Sequence, residues 1–287
     1  MKVLFINVNM HQKNLNALLQ YKIEITSIYN TNLDDIDLTK YDVIYSPSLP
    51  INVNNYPNTK FIFGPHFSVF PNEYQMQMIK GNNSVYIQPS EWVQNLWYSF
   101  PFCKQITIKS LPFGVDTAAF NEIKPLVERS QVFIYFKRRL STELDNINMF
   151  LLSKGYNPVI FDYVKRYNET DYINCLHNAK FGIWLDAHES QGFALQEALA
   201  CNVPLCVWSV TSMNQEAGAN YQNIPAKTNP YWDSKCGESF TNIQDIPIAF
   251  NKFIENINTY KPREFILENL SIKKCSEQFI NLANNMM

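Results

Sequence analysis

The stretch Lys180-Phe-Gly-Ile-Trp-Leu-Asp-Ala-His-Glu189-Ser-Gln-Gly192-Phe-Ala-Leu-Gln-Glu197-Ala-Leu-Ala-Cys-Asn-Val-Pro204 decides the fold. Its first six residues, KFGIWL, form a short apolar run that reads as a buried strand ending at Leu185. A polar loop follows, Gly192 closes it, and FALQEALAC has the composition of a helix opening at Phe193. Pro204 then starts the next strand, VPLCVWS. Strand, loop, helix and strand in this order make a parallel β-α-β unit, and such units bind ligands beyond the carboxyl ends of their strands. Glu189 falls in that loop and Glu197 about five residues into the helix. At about 1.5 Å of rise per residue the two carboxylates are expected roughly 8–12 Å apart, a spacing suited to holding two separate parts of one ligand. The first-turn amides near Gly192 and Phe193 add N–H groups and the positive end of the helix dipole, which favour an anion or a ring hydroxyl. Gly192 is expected to allow close backbone approach.

The same cadence extends outward in both directions. QVFIYF from Gln131 and PVIFDY from Pro158 read as further strands, with YINCLHNA from Tyr172 as a helix between strands. Before them, KVLFINV, IEITSIY, YDVIYS, KFIFG, SVYIQ and QITIKS read as the strands of an earlier sheet, with helical stretches at 14–20, 72–80 and 90–99. Ser90 is the expected N-cap of the last of these. Pro112 and Gly114 interrupt the pattern in LPFGVDTAAF, and the C-terminal tail is helical. The expected architecture is α/β, with two Rossmann-like β/α/β domains facing each other across a cleft. Residues 1–116 form the first and 117–262 the second, and a helical segment 263–287 crosses back onto the first.

Composition excludes several classes of function. The 287 residues carry a formal charge of −2 at pH 7, which gives no basic excess for nucleic-acid binding. With 46% hydrophobic and 17% charged residues spread along the chain, the sequence is globular rather than disordered. No run approaches the ~20 apolar residues of a membrane span, and MKVLFINVNMHQ lacks the apolar length and small-residue site of a signal peptide. The six cysteines form no CxxC pair, so neither a zinc site nor a disulfide framework is indicated and a cytoplasmic location is expected.

ESQGFALQEALACNVP resembles the Glu-x7-Glu signature of retaining GT-B glycosyltransferases of family 4, with its Gly-Phe pair, second Glu, Ala-x-Ala and Pro in register. Three other segments agree in order. PSEWVQNLW is similar to that family's Ser-Glu-Trp helix. LPFGVDTAAF is similar to its Pro-Asn-Gly-Val-Asp linker, with Phe113 in place of Asn. Arg263 to Leu282 is similar to its terminal helix. The resemblance covers most of Lys60 to Leu282 and is strongest from Phe133 to Trp208.

The resemblance implies transfer of a sugar from a UDP- or GDP-linked donor to a hydroxyl acceptor such as a glycan, with retention through attack on the face the leaving group departs from. It assigns Glu197 to the ribose hydroxyls, and Glu189 with the Gly192 and Phe193 amides and neighbouring Ser190 to the donor sugar. It places Tyr163 and Val164 in the loop that reads the base, and His66 of FGPHFSVFP against the donor sugar. Of Lys137-Arg138-Arg139 after QVFIYF, Lys137 and Arg138 are assigned to the diphosphate, since not all three can point the same way from one strand end. No cofactor and no metal are implied, and a homodimer is compatible. His188 is a further candidate for the same space. Tyr231 and Trp232 are equally readable as a sugar platform or as core.

Two departures stand out. The family's Lys-Gly pair does not follow the basic cluster, and the loop after the first strand, Asn7-Val-Asn-Met-His11, contains no glycine. They keep a second expectation open, a catalytically inactive sugar or nucleotide binder on the same fold. A nucleotide-sugar epimerase, a phosphorylase and a glycoside hydrolase are the weaker alternatives.

Overall fold

The computed structural model describes residues 1–286. The chain forms two compact units, Met1–Gly114 together with the segment from Ile272 onward, and Val115–Ser271.

The first unit is built on a six-stranded sheet. Its strands are β1 (Lys2–Ile6), β2 (Glu24–Ile28), β3 (Val43–Ser46), β4 (Phe61–Phe63), β5 (Ser84–Gln88) and β6 (Ile108–Ser110), in the order β2-β1-β3-β4-β5-β6. Every neighbouring pair is parallel. Val3 to Ile6, Phe61 to Phe63 and Tyr86 are buried, which is why these strands read as continuous apolar runs rather than alternating ones. The helices are α1 (Gln12–Leu18), α2 (Glu73–Met78) and α3 (Glu91–Tyr98). Asn72 caps α2 through its side-chain oxygen, which accepts from the Gln75 amide at 3.1 Å. Ser90 occupies the N-cap position of α3 as expected, but its hydroxyl makes no capping bond.

The second unit holds a five-stranded parallel sheet of β7 (Gln131–Lys137), β8 (Val159–Asp162), β9 (Ala179–Asp186), β10 (Leu205–Trp208) and β11 (Gly237–Phe240). Its order is β11-β10-β9-β7-β8, so the direction of strand addition reverses between β7 and β9. Side chains of β7 alternate between two cores. Phe133 and Tyr135 join Trp184, Leu195 and Leu199 on one face, and Ile134 and Phe136 join Ile183, Phe250 and Phe253 on the other. Tyr135 stacks on Trp184 with centroids 4.0 Å apart. Gly182 must lack a side chain, because a Cβ there would sit 2.3 Å from the Phe133 ring. The surrounding helices are α4 (Ser141–Ser153), α5 (Glu169–Asn178), α6 (Phe193–Ala200), α7 (Ile246–Glu255) and α8 (Pro262–Asn269).

The expected C-terminal segment 263–287 divides between the units. Helix α8 stays with the second, where Phe265, Ile266 and Leu270 join the core and the Arg263 guanidinium donates to the carbonyls of Thr117, Phe120 and Ala200. Helix α9 (Ile272–Asn284) belongs to the first unit, where Phe279 packs against Tyr21 and Tyr45. The break falls at Ser271, and Gly114 lies so close to Ile272 that a Cβ would meet its Cα at 2.4 Å.

Candidate active site

In an open parallel sheet the strand-order reversal leaves a crevice beyond the carboxyl ends of the two central strands, because the following helices depart to opposite faces. In the second unit those strands are β7 and β9. Their last residues, Lys137 and Asp186, are register partners. The Lys137 ammonium makes an ion pair with Glu189 and lies 3.9 Å from the Asp186 carboxylate. It also sits over the Tyr163 ring, 4.7 Å from the centroid. Asp186 is 1% exposed. Burial pushes its carboxyl up to about 7 against the opposing pull of Lys137.

The loop after β9 is pinned from several sides. The Ala187 amide donates to the Lys137 carbonyl at 3.0 Å, and the Glu189 amide to the Lys227 carbonyl at 2.9 Å. The Thr228 hydroxyl lies 3.1 and 2.9 Å from the carbonyls of Asp186 and Ala187 and accepts from the Val210 amide at 3.0 Å. Gly192 turns the loop into α6 at φ +84. The nearest atom to a Cβ built there is 3.6 Å away. The glycine is therefore required by the left-handed backbone. Ser190 is exposed and Phe193 half-buried at the start of α6.

Glu197 lies on the inner face of α6 and is only 4% exposed. Its charge adds to burial in raising the Tyr167 hydroxyl to about 12 and acts in the same direction on Tyr172. A carboxylate so enclosed retains few routes to solvent. Tyr163 and Val164 stand exposed on the turn after β8, where Asp162 Oδ1 accepts from the Val164 and Lys165 amides.

The basic cluster separates by direction. Arg138 is half exposed and contacts Glu216 at 3.1 Å. Arg139 is buried and grips Glu143 through two nitrogens at 2.9 and 2.6 Å. His188 lies 3.4 Å from the second oxygen of Glu216, and burial holds its imidazole below the ordinary value. Tyr231 and Trp232 pack against the core of the second unit. Among the described residues no group of three or more His, Cys, Asp or Glu side chains is arranged to hold a metal ion, and no helix is long and apolar enough to cross a membrane.

His66 belongs to the first unit, whose strand order reverses between β1 and β3. It follows β4, its amide donates to the Pro47 carbonyl at 2.8 Å, and its Nε2 lies 2.9 Å from Asn14 Nδ2. The His11 ring is 6.5 Å away. The glycine-free loop after β1 makes its turn through Asn9, at φ +50, since asparagine tolerates the left-handed region better than other side chains.

Burial, with His11 adding to it, lowers the His66 imidazole to about 4. Between about 4 and 6.5 the unfolded chain therefore binds the proton that the folded imidazole refuses. The stability of the first unit is expected to fall as pH drops through that window. Urea midpoints measured from pH 7 to pH 4 should fall less steeply in His66→Asn than in the unaltered chain. Parallel curves would contradict this assignment.

Asp186, Glu216 and Thr228 complete the site without having been singled out in the sequence. Asp186 is legible as the last residue of a strand at the reversal. Glu216 carries no local signal, because its partner Arg138 lies 78 residues earlier.

No protein-family model and no curated protein matches this sequence. Among solved structures, the chain is similar to the N-terminal domain of Candida albicans trehalose-6-phosphate phosphatase, with a TM-score of 0.58, 11% identity and coverage of 99% of this chain and 96% of that one. It is similar to sucrose-phosphate synthase from Thermosynechococcus elongatus, with a TM-score of 0.56, 10% identity and coverage of 99% and 98%. It also resembles TarM at a TM-score of 0.52 and 16% identity, over 80% of this chain and 51% of that one. These likenesses show the fold, the two-sheet α/β architecture of GT-B proteins.

Proposed function

We propose that the chain is a glycosyltransferase that moves a sugar from a UDP- or GDP-linked donor to a hydroxyl acceptor such as a glycan. The observation that carries this reading is the meeting, beyond the reversal of the second sheet, of the Lys137 ammonium from the end of β7 with Glu189 of the loop after β9, beside Gly192 at the N-terminus of α6, with Arg138 next to Lys137 in the chain. Cations and backbone amides suit a diphosphate, and a carboxylate suits sugar hydroxyls. One of the similar solved structures is a sucrose-phosphate synthase.

Within this reading Lys137 and Arg138 neutralise the diphosphate as the bond from the anomeric carbon to the phosphate oxygen breaks. The acceptor oxygen attacks the same carbon on the face the diphosphate leaves, so configuration is retained, and its proton passes to the departing phosphate oxygen. Glu189, with the Gly192 and Phe193 amides and Ser190, holds the donor sugar. Glu197 takes the ribose hydroxyls, and Tyr163 and Val164 border the base. The two cations supply the charge that a divalent metal would otherwise bring.

A thermal-shift series with UDP, GDP, ADP and dTDP tests the donor site. A nucleotide present at 100 times its Kd stabilises by about 2.7 kcal/mol. UDP or GDP is expected to raise the unfolding midpoint of the unaltered chain. In Glu197→Gln and Glu197→Ala the response should weaken, since a charge-assisted bond to a hydroxyl is worth about 1.5–3 kcal/mol, roughly ten- to a hundredfold in Kd. No response to any nucleotide would overturn the reading.

A further inference from the structure

We infer that Glu216 is a positioning residue that aims the Arg138 guanidinium, and that the connection from β10 to β11 is the rigid mount that carries it; this rests on the diphosphate role proposed for Arg138. Arg138 stands at φ +52, a left-handed conformation uncommon outside glycine, asparagine and aspartate. Such a backbone persists where its surroundings over-determine it. Here both its backbone and its side chain are gripped by two consecutive residues. The Ala217 amide donates to the Arg138 carbonyl at 2.8 Å, and Glu216 Oε1 accepts from Arg138 Nη1 at 3.1 Å. Glu216 is 8% exposed while the Arg138 side chain is 50% exposed, so the carboxylate is the fixed partner and the guanidinium the presented one.

The mount is held by its own hydrogen bonds. Gln215 Oε1 accepts from the Thr211 amide at 2.7 Å and the Ser212 amide at 3.1 Å, closing a capping box. The Met213 amide donates to the Ile224 carbonyl at 2.8 Å, and the Ala226 amide to the Thr211 carbonyl at 3.2 Å. The excursion from Ser212 to Pro225 is thus tied at its base and is not a loose loop. His188 Nδ1 sits 3.4 Å from Glu216 Oε2, and its ring packs edge-on to Tyr221. A guanidinium has five N–H donors, and engaging one nitrogen on Glu216 leaves the rest of a planar fork for a phosphate.

The test compares UDP and GDP affinity by calorimetry in the unaltered chain, Glu216→Ala and Glu216→Gln, together with the Arg138 Nε–H NMR signal, assigned through Arg138→Lys. Glu216→Ala is expected to weaken binding of the preferred nucleotide about tenfold, as loss of one well-aimed charged contact should. The Arg138 signal should sharpen to that of a mobile side chain. Glu216→Gln, which keeps an acceptor oxygen of the same shape, should recover most of the affinity. Unchanged affinity and an unchanged Arg138 signal in Glu216→Ala would overturn the inference while leaving the donor site standing. Failure of the unaltered chain to bind either nucleotide would instead overturn the proposed function and, with it, this role for Arg138.

Discussion

Lys137→Met is expected to lower the rate of sugar transfer by at least about 100-fold, the scale on which removing one preorganised charge stabiliser acts. Three features of the site make this lysine central. It ends β7 beside the strand-order reversal, its ammonium pairs with Glu189, and it is the strongest influence opposing the burial of Asp186. On the proposed reading the diphosphate then loses a neutralising charge, and Glu189 loses its ammonium partner. Asp186, already pushed up to about 7, would hold its proton to still higher pH. Lys137→Arg should recover only part of the rate, because a guanidinium, although it can stack on the Tyr163 ring, is a wider fork than the compact ammonium that lies beside both Glu189 and Asp186. Rates are compared by nucleoside diphosphate release at saturating donor, with near-UV circular dichroism confirming the fold. A Lys137→Met rate within threefold of the unaltered chain would contradict the assignment.

Arg139→Met is expected to cost about 3 kcal/mol or more of stability, as removing one partner of a buried ion pair does. The neighbouring cations thus divide sharply in role. Arg139 is bidentate to Glu143, and its Nη1 lies 3.3 Å from the carbonyls of Asp186 and Trp208, the last residues of β9 and β10. Its guanidinium also lies over the Trp208 ring at 4.7 Å. One side chain therefore ties the start of α4 to two strand ends. Its loss removes the cation from a part-buried carboxylate and a donor from two strand-end carbonyls, and an apolar side chain replaces neither. Urea unfolding of the two variants should separate them, with the larger stability loss in Arg139→Met and the larger rate loss in Lys137→Met. A cost below about 1 kcal/mol for Arg139→Met would place this pair with ordinary surface salt bridges.

The strands flanking both reversals were legible because they are buried on two faces and so appear as unbroken apolar runs, as in KVLFI and VFIYF. Helix α6 was legible through Gly192 before it and the strand that follows. QITIKS contracted to Ile108–Ser110, because Pro101–Gln105 forms a 3-10 turn that takes up its start. The tail misled for a different reason. Helices α8 and α9 both carry apolar stripes, and nothing in their periodicity says that Ile266 and Phe279 enter different cores. Within the site, residue types at strand ends pointed to Lys137, Arg138 and Glu189. The contact of Arg138 with Glu216 is set by tertiary folding alone. How the first loop turns without a glycine also needed the structure, since Asn9 supplies the left-handed residue.

The most direct measurement of the central claim is nucleoside diphosphate release by the unaltered chain, from UDP- and GDP-linked hexoses, with and without a hydroxyl acceptor. The expected result is release from one donor class, faster with acceptor and matched one for one by glycoside of retained configuration. Nucleotide binding with no release under any acceptor would contradict a transferase and identify the chain as an inactive binder on the same fold.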